Sequence, residues 1–146
     1  MTLEYVFERE FEMGTIRCPD DVKPLLEKYA QSPQEMFLAI TLNGAREPIK
    51  CHVTSLGTVN CSPVVPRDIF REAVADNACA IIVAHNHPSG STTPSDQDIE
   101  STRQLIKAGE LMGIQVIDHI IFTPQGNIYD FLEHGMMTTK KRKIIG

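Results

Sequence analysis

The chain has 146 residues, of which 42% are apolar and 23% charged, and it contains no tryptophan. A chain of this size can bury a core without disulfides or structural metals, so we expect one domain over residues 1–135 and a basic tail over 136–146. No apolar run approaches the ~20 residues of a membrane helix, and no basic region followed by an apolar stretch opens the chain. The sequence therefore predicts neither a membrane protein nor a secreted one, and we expect it in the cytoplasm.

The charge balance argues against nucleic acid as a partner. The net charge is −5, from 14 basic and 19 acidic residues, and four of the basic residues are clustered at 140–143. The rest of the chain thus carries 10 basic against 19 acidic residues, and an acidic body repels phosphate backbones. The basic run itself is typical of a solvated chain end.

Four cysteines, at positions 18, 51, 61 and 79, form no Cys-x-x-Cys pair. This spacing argues against a zinc knuckle and against a disulfide framework. We therefore expect reduced and mostly buried thiols, as in cytosolic proteins.

Apolar periodicity and turn residues predict strands and helices in alternation. Strands are expected over residues 3–9, 35–42, 47–55, 79–84, 114–122 and 128–129, and helices over 20–31, 66–77 and 95–112. Pro24 is tolerable only in or near the first turn of its helix, and Gly113 suits the stop of the last one. Asn43 and Gly44 predict a tight turn because both residues tolerate positive φ.

Residues 79–84 form a continuous apolar run, which is typical of a central strand covered on both faces. The order of elements therefore predicts an α/β fold with a mixed β-sheet and helices on both faces. The positions expected to face inward on the second and third helices are Ile69, Phe70, Ala73, Val74, Ile99, Leu105, Ile106, Gly109 and Met112. The loop after the carboxyl end of a central strand is where α/β proteins usually place ligands.

That loop, residues 85–90, reads His-Asn-His-Pro-Ser-Gly. His85 and His87 are one residue apart, so in extended backbone both rings project to the same side, as a single metal ion requires. A lone histidine usually has a structural role, but a His-x-His pair at a strand end has a purely structural role much less often. Pro88 and Gly90 suit a tightly turned loop. We interpret the two histidines as ligands of a metal site.

Asp98 is the third candidate ligand. Residues 95–98, Ser-Asp-Gln-Asp, also resemble a capping box with Ser95 at the N-cap and Asp98 in the first helical turn. The two interpretations are compatible, because a helix N-terminus brought back to the histidine loop would hold the carboxylate in place. Two histidines and one carboxylate leave one position for water, which is the pattern of catalytic zinc sites. A metal there lowers the pKa of its water to about 7.

His85-x-His87, followed by Ser95-x-x-Asp98, resembles the signature of the JAB/MPN metalloenzymes, the JAMM group. The fuller text of residues 85–90 and 94–95 is similar to the RadC branch of that group. Supporting segments lie at residues 66–69, 118–121 and 131–135, and the resemblance covers roughly residues 15–135. Several motifs in the right order make a chance similarity improbable.

The resemblance implies a metal-dependent hydrolase on the JAB/MPN fold, which is similar to that of cytidine deaminase, with Zn²⁺ held by His85, His87 and Asp98. It also implies an upstream glutamate acting on the zinc-bound water; the matching position is Glu35, which by sequence alone is an ordinary strand end. Ser95 would donate to the oxyanion of a tetrahedral intermediate. The implied reaction is hydrolysis of a peptide, amide or isopeptide bond in an unidentified peptide or protein substrate.

Two features depart from the RadC pattern. Leu42-Asn43 stands where relatives usually read Leu-Asp, and the chain leaves no room for the helix-hairpin-helix-like region ahead of this domain in full-length members. We therefore expect a stand-alone domain in which the family's link to DNA repair is poorly supported. The alternative is a catalytically silent DNA-repair-associated or protein-interaction module that retains the fold. The intact set of five site residues favours the enzyme.

Two other metal enzymes agree less well with the spacing. His-Asn-His nucleases spread their histidines through a hairpin-helix unit, and zinc deaminases require His-x-Glu and Pro-Cys-x-x-Cys, which are absent. His119 either orients a metal ligand through a hydrogen bond or has a structural role at a strand end. His52 and His134 are expected to be structural, and the sequence is compatible with a homo-oligomer.

Overall fold

A computed structural model describes residues 14–56 and 64–139 of the protein. Within these residues the strands are β1 (Met36–Leu42), β2 (Pro48–Leu56), β3 (Ala80–Asn86), β4 (Gln115–Phe122) and β5 (Ile128–Asp130). The α-helices are α1 (Lys23–Glu27), α2 (Pro66–Ala75) and α3 (Asp96–Met112), and a 3₁₀ turn at Pro19–Asp21 precedes α1. The predicted strand over residues 3–9, residues 57–63 and the basic run at 140–143 lie outside the described residues.

The strands form one mixed sheet in the order β2-β1-β3-β4-β5. β3 and β4 are parallel, because α3 carries the chain back between them, and the other neighbours are antiparallel. The start of β1 therefore lies beside the carboxyl ends of β3 and β4, at the same edge of the sheet. The predicted mixed sheet is confirmed.

Both faces of the sheet are covered, as predicted. β3 is buried along its whole length, and its successive side chains enter two different cores. Ile82 packs with α1 residues on one face, whereas Ile81 and Val83 pack with α2 and α3 on the other. The α/β class with helices on both faces is thus confirmed, and it is consistent with a JAB/MPN-like fold.

The first helix is shorter than predicted. It begins at Lys23 and ends at Glu27, with Pro24 in its first turn as expected. Asp21, which lies within the predicted helix, instead belongs to the preceding 3₁₀ turn, where its carboxylate accepts hydrogen bonds from the backbone N–H groups of Arg17 and Cys18 at 2.8 and 3.2 Å. After Glu27 the backbone hydrogen bonds shift to i→i−3 spacing, which ends the α-helix in a series of turns.

The β1–β2 turn lies where Asn43-Gly44 predicted it, but its conformation differs. Positive φ occurs at Arg46 (60°) and not at Asn43 or Gly44. The Asn43 side-chain oxygen accepts from the backbone N–H groups of Ala45 and Glu47, at 2.9 and 3.0 Å. This side-chain turn lengthens the loop and places the left-handed residue at its end.

Some positions predicted to face inward are exposed. Ile69, Phe70, Ala73, Leu105 and Gly109 are buried as expected, and Ile99 and Ile106 are partly buried. Val74 and Met112 are half exposed, because they lie along the outer line where α2 meets α3.

The cysteine prediction is partly wrong. Of the three described cysteines only Cys51 is buried, whereas Cys18 and Cys79 are exposed at the ends of elements; all three are free thiols. Among the described residues, no helix combines the length and the apolar character that crossing a bilayer requires.

Two buried carboxyl groups, Asp118 on β4 and Asp130 on β5, make the stability of the fold depend on pH. Burial, and then the neighbouring Asp130 carboxylate, raise the pKa of Asp118 to about 8. Between about pH 4 and pH 8 the folded chain therefore holds a proton that the unfolded chain has lost. The contribution of this carboxyl group to stability is therefore complete below this interval and is lost as the pH rises through it.

We expect Asp118→Asn to be more stable than the wild type at pH 9, by about 1–3 kcal/mol. The amide keeps the oxygen that accepts from the backbone N–H groups of His119 and Leu132, and it removes the charge. Urea unfolding of the metal-free protein at pH 5 and pH 9 measures the effect, with Asp96→Asn as an exposed control. A wild-type protein whose stability does not fall between these pH values would contradict the raised pKa.

Candidate metal centre

The site is at the carboxyl end of β3, which continues two residues beyond its predicted end, to Asn86. His85 is therefore part of the strand, buried and paired with Phe37 of β1. His87 follows the strand and donates its backbone N–H to the Phe122 carbonyl at 2.9 Å, which extends the pairing with β4. Extended backbone places both rings on the α2–α3 face of the sheet, as the spacing predicted.

Four of the five predicted site residues converge here. The Nε2 atoms of His85 and His87 are 2.8 Å apart. Asp98 Oδ1 is 3.3 Å from Nε2 of His85, and Asp98 Oδ2 is 3.5 Å from Nε2 of His87. Glu35 Oε1 is 3.8 and 4.0 Å from the same two nitrogens. Glu35 and the two histidines also form a group of ligand atoms within 4.8 Å of one another, so two carboxylates flank one imidazole pair.

The N-terminus of α3 holds the fifth residue, Ser95, and Asp98 together. Ser95 is the N-cap: its hydroxyl accepts from the backbone N–H of Asp98 at 3.0 Å, and its own N–H donates to Asp98 Oδ2 at 2.8 Å. This is the predicted capping box, with aspartate in place of glutamate. Because the Ser95 oxygen is used as an acceptor, its hydroxyl proton remains available to a group outside the helix.

A chain of hydrogen bonds determines the tautomer of His85. Thr102 Oγ1 lies 2.7 Å from the Asp98 carbonyl, which can only accept, so the threonine donates there and accepts from His119 Nδ1–H at 2.5 Å. His119 Nε2 then carries a lone pair and accepts from His85 Nδ1–H at 2.8 Å. The Nε2 atom of His85 is left with a lone pair directed into the site.

His87 has the same tautomer for a simpler reason. Its Nδ1 lies 2.7 Å from the Ser91 carbonyl and must donate to it, so its Nε2 also carries a lone pair. The two facing nitrogens are then both acceptors at 2.8 Å, an arrangement that requires a cation or a proton between them. Two imidazole nitrogens and a carboxylate are a donor set that suits a transition-metal ion such as zinc.

The pKa values agree with a site that attracts positive charge. Burial acts to raise the pKa of Asp98, but hydrogen bonding with His85 and His87 outweighs it and holds that pKa well below its usual range. Hydrogen bonding to Asp98 in turn raises the pKa of His87. Burial lowers the pKa of His119 well below that of a free histidine, so this ring is neutral, as the hydrogen-bond chain requires.

A cavity of about 370 Å³ opens over the candidate metal centre. Glu35, His85, His87, Ser95 and Asp98 all contribute to its wall. Phe37 forms an apolar part of the wall and stacks on the ring of His85, with centroids 5.8 Å apart. The candidate site is therefore open on one side and packed against the core on the other.

His119 lies in the middle of β4 and not at a strand end. Its ring is fully buried, stacks on Phe131 with centroids 4.4 Å apart and contacts His85, so it holds that ligand candidate through a hydrogen bond. The sequence offered this as one of two interpretations. Thr102 was not identified from the sequence as part of this hydrogen-bond chain. The only feature of the sequence that indicates it is its position four residues after Asp98, on the same side of the helix.

We expect Thr102→Val to bind zinc about tenfold more weakly than the wild type. Valine preserves the shape but removes the acceptor of His119 Nδ1–H, so the ring can reorient and release His85 from its tautomer. Competition with a chromophoric chelator measures the affinity, and Thr41→Val, at another buried threonine, is the matched control. Equal losses in both variants would indicate general destabilisation and contradict the relay.

Fold and site together define an α/β protein of the JAB/MPN type with a candidate metal centre at the end of its central strand. Residues 16–136 match the model of the RadC-like JAB domain. The chain belongs to this family.

Named relatives agree with this assignment. The chain is 51% identical over 116 residues to a UPF0758 protein of Methanospirillum hungatei, a match that covers 78% of this chain and 52% of the relative. The corresponding protein of Desulforamulus reducens is 47% identical over 107 residues, covering 73% and 47% of the two chains. That of Staphylococcus haemolyticus is 44% identical over 124 residues, covering 84% and 54%. The chain thus spans about half the length of these curated relatives.

Proposed function

We propose that this domain is a zinc-dependent hydrolase of the JAMM type that cleaves a peptide, amide or isopeptide bond. One observation carries the proposal: two imidazole lone pairs face each other at 2.8 Å between two carboxylates with different surroundings. A purely structural site needs no second carboxylate and no cavity above it. A hydrolase needs both, one carboxylate to hold the metal and one to move a proton.

Asp98 is the better metal ligand of the two carboxylates. It lies closer to both imidazoles, its side chain is 17% exposed against 37% for Glu35, and the first turn of α3 holds it in place. Its low pKa keeps it ionised, as a ligand must be. Glu35 lies farther out at the cavity wall and is the better general base.

When bound, zinc would lower the pKa of a water in the cavity to about 7 and polarise the substrate carbonyl. Glu35 faces both Nε2 atoms from about 4 Å, at the wall of the same cavity. There it would take a proton from that water and deliver it to the leaving amine. The Ser95 hydroxyl, whose proton is not used by the helix cap, would donate to the developing oxyanion.

A metal analysis combined with a cleavage screen tests the proposal. The purified chain should hold close to one zinc ion per molecule, and it should cleave members of a panel of fluorogenic peptides, peptide amides and isopeptide-linked peptides. His87→Ala is the negative control, because it removes a ligand at the exposed side of the site. A chain that cannot be loaded with zinc, or a loaded chain that cleaves no member, would favour the catalytically silent module instead.

We propose, first, that the substrate is a peptide or a protein and, second, that the chain does not bind nucleic acid. A gel shift with duplex DNA that is sensitive to salt and depends on the basic run at 140–143 would overturn the second point.

A further inference from the structure

Asn86, the residue between the two histidines, is fully buried, and its side chain points to the opposite face of β3 from theirs. Its Oδ1 accepts from the backbone N–H of Met36 at 2.6 Å. Its Nδ2 donates to the carbonyls of Gln34 and Ser32, at 3.0 and 3.3 Å. An N–H can only donate and a carbonyl can only accept, so these partners determine which way the amide is turned.

All three bonds reach the backbone segment that carries Glu35. Gln34 and Met36 are the residues on either side of Glu35, and both are held by the same carboxamide. The segment is 50 to 54 residues away from Asn86 in sequence. No local interaction of β3 would therefore bring it there.

The pairing of the sheet brings the start of β1 beside His85 but does not include Glu35 itself. Strand β1 begins at Met36, which pairs with Leu56 of β2, and its pairing with β3 begins with Phe37 opposite His85. Glu35 lies one residue before the strand and directly after a bend at residues 33 and 34. Its carboxylate is 37% exposed, and the nearest imidazole nitrogen lies 3.8 Å away; among the described residues no shorter ion pair holds it.

We propose that Asn86 is a positioning residue that holds Glu35 opposite the metal centre. Successive side chains at residues 85–87 point to opposite faces of the sheet. His85 and His87 therefore supply nitrogens on one face, and Asn86 binds the backbone segment of the proposed general base on the other. The function of Glu35 rests on the proposed hydrolase activity, but its position can be tested without any substrate.

The first test uses the metal-free chain. In Asn86→Ser the side chain is too short to reach the segment, so the amide hydrogen of Met36 should exchange with solvent at least about tenfold faster than in the wild type. Asn43→Ser is the matched control, since Asn43 also holds a loop by side-chain bonds, at the other end of β1. Equal exchange in Asn86→Ser and wild type would overturn the proposal, whatever the metal does.

The second test is a double-mutant cycle read by Co²⁺ affinity. Glu35→Gln removes a charge about 4 Å from the imidazole nitrogens, and we expect it to weaken Co²⁺ binding about three- to tenfold. Asn86→Ser should weaken Co²⁺ binding by no more than Glu35→Gln does. It only displaces the Glu35 carboxylate, whereas Glu35→Gln removes the charge of that carboxylate altogether. In the Glu35→Gln background, Asn86→Ser should have almost no further effect.

Equal effects of Asn86→Ser in both backgrounds would show that Asn86 does not act through Glu35 and would overturn the proposal. Should Asn86→Ser fail to fold, Asn86→Thr, which suits a strand better, takes its place. A wild-type chain that does not bind Co²⁺ would overturn the proposed hydrolase. The exchange test would still decide whether Asn86 holds the Glu35 segment.

Discussion

Asp98→Asn is expected to lose its zinc while it keeps its fold. Asparagine retains an oxygen that can accept from the Ser95 N–H, so the helix cap survives, but the neutral amide is a much poorer ligand than a carboxylate. We expect the affinity for zinc to fall at least about 100-fold, because the loss of a direct ligand should exceed the 10- to 100-fold loss of an outer contact. Metal content after gel filtration, together with the melting temperature of the metal-free form, measures both expectations.

Asp96→Asn is the control for this experiment. Asp96 lies in the same first turn of α3, so its replacement changes the charge at the helix N-terminus without removing a candidate ligand. It should retain zinc at the wild-type level. If Asp98→Asn also kept its zinc, Glu35 would be the carboxylate that holds the metal, in the ligand group it forms with His85 and His87.

Glu35→Gln is expected to keep its metal and to lose hydrolysis. Glutamine has the shape of glutamate but cannot take a proton, so turnover should fall by about 10²- to 10⁴-fold. At micromolar concentrations zinc should stay bound, because two imidazoles and Asp98 still provide three ligands. Turnover of the best substrate from the cleavage screen and zinc content, measured on the same preparation, separate the two effects.

Glu27→Gln, at an exposed position on α1, controls for the loss of a glutamate charge from the surface. It should change neither turnover nor zinc content. Wild-type turnover in Glu35→Gln would exclude Glu35 as the base and leave the zinc site without an assigned proton acceptor.

Short-range patterns in the sequence were enough to predict the arrangement of part of the candidate site. The spacing of His85 and His87 relies only on the two-residue period of extended backbone, and the Ser95–Asp98 box only on the geometry of a first helical turn. The central strand was recognisable from its apolar run, and the mixed sheet from the order of elements. The role proposed for Glu35 came from the family resemblance, because its local sequence is that of an ordinary strand end.

Only the tertiary structure determines which residues distant in sequence contact the two histidines and the Ser95–Asp98 box. The sequence does not state that β1 lies antiparallel to β3 with Phe37 opposite His85, yet this register brings Glu35 to within 4 Å of the imidazoles. The bonds of Asn86 to that segment depend on the same register.

The relay through His119 likewise depends on β4 pairing parallel to β3 and on α3 covering that face. These contacts join residues that are from 17 positions apart, for Thr102 and His119, to 54 positions apart, for Ser32 and Asn86. Local periodicity predicts the direction of a side chain within its own element, whereas only the packing of the sheet determines which distant backbone it meets.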